Sequence, residues 1–253
     1  MRTIVTGGAG FIGSHLVDAL LERGDDVIVI DDFSNGKEEN LPKHENLMIY
    51  KKSILDKSID EFFKGIDVVF HLAALPRVQF SIKYPVLTHD VNVNGTLNLL
   101  NLCREFNVKR FVFSSSASVY GDQDKLPLEE NMTPNPMSPY ALHKLTGEHY
   151  CKLYNRLYDI ETVSLRYFNV YGPRQNLEGD YTVLIPKFID KALRGDELVI
   201  NGSGKNTRDY VHVSDVANAN IKAALLNNKR IFGEVFNIGT GVNKSVNDVA
   251  NVI

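Results

Sequence analysis

Cysteine is nearly missing from this chain. Only Cys103 and Cys151 occur, both inside segments that read as helices and without metal-ligand spacing, so neither a disulfide framework nor a metal site is expected. An excess of positive charge is also lacking. Against 28 Lys and Arg stand 31 Asp and Glu, a net charge of -3 at pH 7, which gives no electrostatic basis for binding nucleic acid or an anionic membrane. No apolar run is long enough to span a bilayer, and no repeat, low-complexity tract or linker interrupts the sequence. Met1-Arg2-Thr3-Ile4-Val5 enters a strand directly with no signal-peptide pattern, so a cytoplasmic protein is expected. What is present, 253 residues of which 43% are hydrophobic, suffices for one large α/β domain or a domain with a small second lobe.

Strands and helices alternate. Arg2 to Thr6 reads as a strand, and Gly10 to Arg23 as a helix with apolar Phe11, Leu16, Leu20 and Leu21. Asp26 to Asp31 (DVIVID) is a continuous apolar strand of the kind buried on both faces. Further strands are expected at Leu47–Lys51, Ile66–His71, Lys109–Ser114 and Ile160–Leu165, with helices at Ser58–Lys64, Pro85–Phe106 and Pro139–Tyr158. This βαβ rhythm implies a parallel sheet with helices on both faces. After Tyr167 a Gly/Pro-rich loop (Tyr171 to Tyr181) leads to a helix at Val183–Arg194 and a short strand at Leu198–Ile200. A turn at Asn201–Gly204 precedes a strand at Asp209–His212, a helix at Ser214–Asn227 and a strand at Glu234–Ile238.

Gly7, Gly10 and Gly13 form G-x-x-G-x-x-G between the first strand and the first helix, with Phe11 and Ile12 opening that helix. Glycines allow a sharp turn and close approach of backbone to a pyrophosphate, which helix N–H groups then bind. Asp31 ends the second strand 18 residues after Gly13, where a carboxylate accepts from a ribose 2′-hydroxyl and repels a 2′-phosphate. No arginine lies between Asp31 and Lys51, so NAD is favoured over NADP. Ile54 either covers one face of the adenine or belongs to the core. Leu72, Ala73 and Ala74 leave room for a dinucleotide across the strand ends.

Tyr140 and Lys144 stand four apart on one helix and share a face. An ammonium beside a phenol favours the phenolate, so Lys144 is expected to lower the Tyr140 pKa and make it a proton carrier. Ser114-Ser115-Ser116 end a strand whose tip faces the ligand crevice. Those hydroxyls either bond a substrate oxygen or satisfy strand-end backbone groups.

The chain resembles the extended short-chain dehydrogenase/reductase family, and within it the UDP-hexose 4-epimerases. The matching stretches are TGGAGFIGSHL, DDFSNG, HLAA, NVNGT, SSSASVYG, SPYALHK, LRYFNVYGPRQ and TRDYVHVSDVA, in that order over nearly the whole length. The resemblance implies an α/β, doubly wound parallel (Rossmann) sheet with a small, truncated C-terminal substrate lobe. Residues 1–169 would form the NAD-binding domain, with a return to it at about 211–238. Residues 170–210 and 239–253 would form a partial sugar-nucleotide lobe.

The resemblance assigns roles. Tyr140 would be the acid/base, Lys144 its partner and a ligand of the nicotinamide ribose, and Ser116 the hydrogen-bonding partner of the reacting sugar hydroxyl. NAD would also meet Asp32, Ser34, Asn35 and Gly36 after the second strand, Ser53 beside the adenine, and Asn92, Ser114 and Tyr167. Asn169 and Arg208 would hold the diphosphate of a UDP-sugar, Arg208 having a surface pairing with Asp209 as its alternative. Val183, Leu184 and Asn201 would enclose the uracil, Val183 having a plain core role as its alternative. A homodimer is possible through the helices at Pro85–Phe106 and Pro139–Tyr158, with Val86, Leu97, Leu100 and Leu153 on its face or packed on the sheet.

Three departures bear on the reaction. Dehydratases of the family carry Asp-Glu where this chain has Ala117-Ser118, and the decarboxylases carry glutamate at the Ser118 position. An acidic residue is usual where Ser53 stands, which bears on the adenine contact. Relatives continue beyond FNIGTG (Phe236 to Gly241), whereas a dozen residues follow it here, so part of the sugar pocket is expected to be absent. The expected activity is NAD-dependent 4-epimerisation of a UDP-hexose, glucose/galactose or the N-acetylhexosamines, through a transient 4-keto sugar. A reductase, dehydratase or decarboxylase of the family and a non-catalytic NAD-binding protein are the alternatives.

Overall fold

The computed structural model describes residues 1–176 and 183–253. In chain order the elements begin with β1 (Arg2–Thr6), α1 (Phe11–Glu22), β2 (Asp26–Asp31), β3 (Leu47–Lys51) and β4 (Val68–His71). Then come α2 (Val78–Lys83), α3 (Pro85–His89), a π-helical turn at Asp90–Asn94, and α4 (Gly95–Glu105). They are followed by β5 (Arg110–Ser116), α5 (Pro139–Tyr158), β6 (Glu161–Tyr167), β7 (Asn169–Tyr171) and α6 (Leu184–Arg194). The chain closes with β8 (Thr207–His212), α7 (Val213–Leu225), β9 (Glu234–Ile238), β10 (Asn243–Ser245) and α8 (Val246–Val252).

Seven parallel strands lie in the order β3-β2-β1-β4-β5-β6-β9, the doubly wound arrangement. Strand β2 explains why the sheet is covered twice. Val27 and Val29 enter one core with Leu16, Val17 and Leu20 of α1 and Val216 of α7. Ile28 and Ile30 enter the other with Leu99 and Leu100 of α4 and Phe111 and Phe113 of β5. Each such fully buried side chain contributes roughly 1.5–3 kcal/mol. The connection reverses direction between β1 and β4, and a crevice opens there at the strand C-termini. A small sheet, β10-β8-β7, stands beside this one, with β7 parallel and β10 antiparallel to β8.

Several expectations need correction. The helix expected at Pro85–Phe106 is interrupted by the π-helical turn, and a helix before it, α2, was not foreseen. The expected strand at Leu198–Ile200 does not form. Among the described residues no strand pairs with it. Ser58–Lys64 is a 3-10 helix over Lys57–Phe63, and β5 and β6 each extend two residues further than the pattern suggested. Part of the Tyr171–Tyr181 loop lies outside the described residues. Of the four candidate dimer-face residues, Val86 and Leu153 are exposed, whereas Leu100 is wholly inside the core and Leu97 packs against it. Among the described residues no helix is long and apolar enough to cross a membrane, and no cluster could hold a metal ion.

Candidate active site

A cleft of ≈ 680 Å³ runs along the strand tips on both sides of the crevice. Its floor is the turn between β1 and α1. Gly7 has φ 71°, and a Cβ there would lie 2.6 Å from the Ala73 nitrogen. A Cβ on Gly13 would lie 2.1 Å from the Gly7 oxygen. The turn therefore closes only around glycine, and it leaves the first turn of α1 without a side-chain cap. Uncapped helix N–H groups facing a cleft form an anion site. Phe11 and Ile12 line the same end.

Asp31 closes the adenosine end. Its Oδ2 accepts from the Ala9 N–H at 2.9 Å and its Oδ1 from the Phe33 N–H at 2.8 Å. These bonds aim the carboxylate while leaving lone pairs for a ribose hydroxyl. Burial pushes its pKa above the ordinary carboxylate value, against the two N–H bonds. Asp32, Ser34, Asn35, Gly36, Ser53 and Ile54 line this end, and Leu72, Ala73 and Ala74 line the middle. Ile54 is also buried in the core, so its two readings coexist. Turn, uncapped helix and ribose carboxylate together fit a dinucleotide without a 2′-phosphate.

At the other end of the cleft stand Ser114, Tyr140, Lys144 and Tyr167. Helix α5 is capped by Ser138, whose Oγ accepts from the Ala141 N–H, while the Tyr140 N–H is taken by Ser81 Oγ at 3.1 Å. Tyr140 thus sits in the first turn, where the helix dipole favours negative charge. Its phenol is partly buried in the cleft wall, on the side of the Ser116 hydroxyl. The Lys144 Nζ donates to the Ser114 carbonyl oxygen at 2.7 Å and lies 5.9 Å from the Tyr140 ring centre. Ser114 Oγ bonds the Tyr167 hydroxyl at 2.9 Å, and Asn220 of α7 holds that hydroxyl in turn.

One electrostatic expectation is reversed. Burial pushes the Tyr140 phenol up to about 12, the Ser116 hydroxyl opposing it only in part. Burial pushes Lys144 down to about 8. Lys144 spends its proton on a backbone carbonyl and does not by itself lower the tyrosine.

Other assigned residues lie elsewhere. Asn92 does not line the cleft. Its side chain accepts from the Leu75 N–H at 2.8 Å and donates to the Leu75 oxygen at 3.1 Å, so it fixes the cleft wall from behind. Ser116 reaches the site through Tyr140. Of the residues assigned to the substrate, Tyr140 and Val183 line the cleft, and Val183 is half exposed, not a core residue. Asn169 and Arg208 stand on the small sheet, Leu184 starts α6, and Asn201 is in an exposed turn. Arg208 is exposed and donates to the Thr207 oxygen. The Asp209 carboxylate instead accepts from Thr240 and Gly241, so the alternative pairing is not made. Arg77 and Gln175 also line the cleft. The Gly-Pro-Arg-Gln stretch after β7 could have signalled Gln175, whereas nothing near Arg77 marked it.

With that geometry in view, the likeness to known proteins is informative. Residues 3–239 match the model of the NAD dependent epimerase/dehydratase family. A UDP-glucose 4-epimerase of Mycolicibacterium smegmatis is 41% identical over 100% of this chain and 82% of its own length. The solved UDP-N-acetylglucosamine 4-epimerase of Methanobrevibacter ruminantium M1, in complex with UDP-N-acetylmuramic acid, superposes with a TM-score of 0.95. It is 41% identical, over 99% of this chain and 80% of that one. The UDP-glucose 4-epimerase of Thermotoga maritima with UDP-glucose gives 0.93 at 42% identity, over 100% of this chain and 81% of that one. The chain belongs to the NAD dependent epimerase/dehydratase family, as an NAD-dependent enzyme of its UDP-hexose 4-epimerase group.

Proposed function

We propose that the protein inverts C4 of a UDP-hexose through a transient 4-keto sugar, with UDP-glucose/UDP-galactose and UDP-GlcNAc/UDP-GalNAc as the candidate pairs. The observation that carries this reading is the convergence of Tyr140, Ser116 and Lys144 at one end of a cleft whose other end is built for a dinucleotide. The Gly7–Gly13 turn and the first turn of α1 would hold the pyrophosphate of NAD, Asp31 its adenosine ribose and Lys144 its nicotinamide ribose. When bound, NAD supplies a reversible two-electron acceptor for C4. The chain supplies the proton chemistry. Tyr140 takes the proton of the sugar 4-hydroxyl and returns it after the sugar has turned over. Ser116 bonds the same oxygen and keeps it against the phenol. Burial excludes water from that exchange. The chemistry is redox-neutral over a cycle, so the nicotinamide stays bound.

Ala117 and Ser118 support epimerisation over dehydration or decarboxylation, since neither carries the acid that those eliminations require. Residues 170–210 and 239–253, with Asn169, Arg208, Leu184 and Asn201, are assigned to the nucleotide-sugar side, with Val183 at the uracil. Exposed Val86, Leu87, Leu142, Leu153 and Leu157 on α3 and α5 support a homodimer, which sedimentation would reveal. A cytoplasmic setting agrees with a freely diffusing UDP-sugar substrate.

The decisive test incubates the purified holoenzyme with UDP-galactose, and separately with UDP-GlcNAc, and separates the product sugars. Appearance of the C4 epimer with no change in absorbance at 340 nm supports the proposal. Net NADH formation or loss of water would sink it. Tyr140→Phe is expected to lower turnover roughly 100- to 10,000-fold.

A further inference from the structure

Tyr140, Lys144 and Glu148 follow one another at steps of four along α5 and so form one stripe on its inner face. The stripe meets the three serines that end β5. The Tyr140 phenol faces the Ser116 hydroxyl, the Lys144 ammonium donates to the Ser114 carbonyl, and Ser115 Oγ donates to Glu148 Oε1 at 2.5 Å. Glu148 is therefore the third rung of a ladder whose other two rungs are the proton-handling contacts.

It is also the anchored rung. Arg166 of β6 lies directly opposite Ser115 in the β5/β6 register. Its guanidinium donates to both Glu148 oxygens, Nε to Oε1 at 2.8 Å and Nη2 to Oε2 at 2.7 Å. The planar fork fixes the carboxylate in direction as well as distance. Arg166 lies in turn over the Tyr120 ring, 4.6 Å from its centre, and the Tyr120 hydroxyl donates to Asn237 of β9. Glu148, Arg166, Ser115 and Tyr120 are each at least nine-tenths buried. One buried carboxylate thus ties the helix to two adjacent strands, β5 and β6.

We infer that Glu148 is a positioning residue for the reaction: through Ser115 and Arg166 it sets the register of α5 on β5 that brings Tyr140 to Ser116 and Lys144 to Ser114. This rests on the proton roles given above to Tyr140 and Lys144. Its charge acts in the same place. The Glu148 carboxylate favours the charged form of Lys144 one turn away, against the burial that discharges it. The titratable and charged groups around Glu148 are Lys144 and Cys151 on its own helix, Arg166 from β6, and Tyr120 beneath Arg166.

The test uses the NAD-loaded enzyme. Glu148→Gln keeps the shape, removes one negative charge and leaves Arg166 unbalanced. Both changes favour loss of a proton from Tyr140 and Lys144. The expected result is a kcat about tenfold lower, KM for the UDP-sugar within about twofold, and a pH–rate profile moved to lower pH by roughly half a unit or more. Glu148→Asp, which restores the charge at shorter reach, should return the profile to its parental position with only partial recovery of kcat. A Glu148→Gln enzyme with parental kcat, or one with a lowered kcat and an unmoved profile, overturns the inference. Should Glu148→Gln not fold, as circular dichroism would reveal, Ser115→Ala decides the matter, because it cuts the tie to β5 and spares the ion pair. A several-fold loss of kcat at constant KM then supports the inference, and parental kcat overturns it. Tyr140→Phe in the same assay separates the two ideas, since full activity there would undo the proton path itself, whatever Glu148 does.

Discussion

The Lys144 ammonium reaches the Ser114 carbonyl oxygen at 2.7 Å from a position shut off from water. A fully buried cation resting on one neutral acceptor is costly to hold, and its pKa, depressed to about 8, reflects that cost. Between that value and its ordinary 10.5 the unfolded chain binds the proton and the folded chain does not. The lysine's contribution to stability is therefore present above pH 10.5 and lost as pH falls through 8. At pH 7 the folded protein carries a penalty of about 3 kcal/mol from this group. Lys144→Met, freed of nicotinamide, should melt higher than the parent at pH 7, with an advantage that shrinks towards pH 10. The gain is expected to be smaller than the full penalty, because the Ser114 carbonyl loses its donor. Thermal melts across that range check the sign. Tyr140 and Tyr167, both pushed up to about 12 by burial, act in the opposite sense only between pH 10 and 12, outside the window used.

Asp31 offers a separate handle on the cofactor. Its two oxygens each receive a backbone N–H, so replacement touches the loop as well as the ligand. Asp31→Asn keeps one acceptor and turns an amide N–H towards the other donor. The expected outcome is a loss of about 1–3 kcal/mol in stability together with a clear drop in nicotinamide recovered per chain. Measuring both separates the two effects. Undiminished nicotinamide content would contradict the ribose role.

How much of this was legible beforehand differs from element to element. The run DVIVID could only be a strand covered on both sides, and the helix at Pro139–Tyr158 was legible to the residue. The Leu198–Ile200 strand failed because a short apolar run forms a strand only where the fold lays it along a partner, and pairing is not written locally. Asn92 reads as a ligand contact because a polar residue near a nucleotide cleft looks the same whether it touches ligand or backbone, and in the structure it holds the Leu75 backbone. Glu148 and Arg166 escaped notice for a related reason. Charges at helical spacing ordinarily mark a solvated face, and only the register of β5 on β6 brings these two together in the interior.

His71 gives a prediction about proton placement. Thr96 Oγ1 donates its only proton to the Asn92 oxygen at 2.7 Å, so the His71 Nε2 beside it must be the donor. Its Nδ1 then accepts from the Thr6 hydroxyl, which itself receives the Ala73 N–H. A neutral imidazole is fixed in one tautomer, and burial drives its pKa well below 6.5. That contribution to stability is present above pH 6.5 and lost as pH falls below it. The parent should destabilise on acidification more steeply than His71→Gln, which has nothing to protonate there. The variant should also be less stable at neutral pH by roughly 1–3 kcal/mol, since the chain of bonds is broken. Nitrogen NMR of His71 in the parent should report the Nε2–H form.

Gly147 tests how closely the catalytic helix must sit. It faces Phe113 of β5, and a Cβ added to it would fall 2.3 Å from that ring's Cζ. A flexible neighbour could move aside, but Phe113 is fully buried. It also lies against the His71 ring, with centroids 5.7 Å apart, and 5.1 Å from the Lys144 ammonium. The ring cannot retreat without disturbing either the histidine network or the lysine. The helix must lift instead, which stretches the Tyr140–Ser116 and Lys144–Ser114 contacts together while leaving the Gly7–Gly13 turn and Asp31 untouched. Gly147→Ala should therefore cost about 1–3 kcal/mol in stability, as overpacking of a dense core does, retain its nicotinamide, and lose turnover out of proportion to both. Should turnover fall no further than stability and cofactor content account for, the tight seating of α5 on β5 would matter to folding and not to the transfer of the proton.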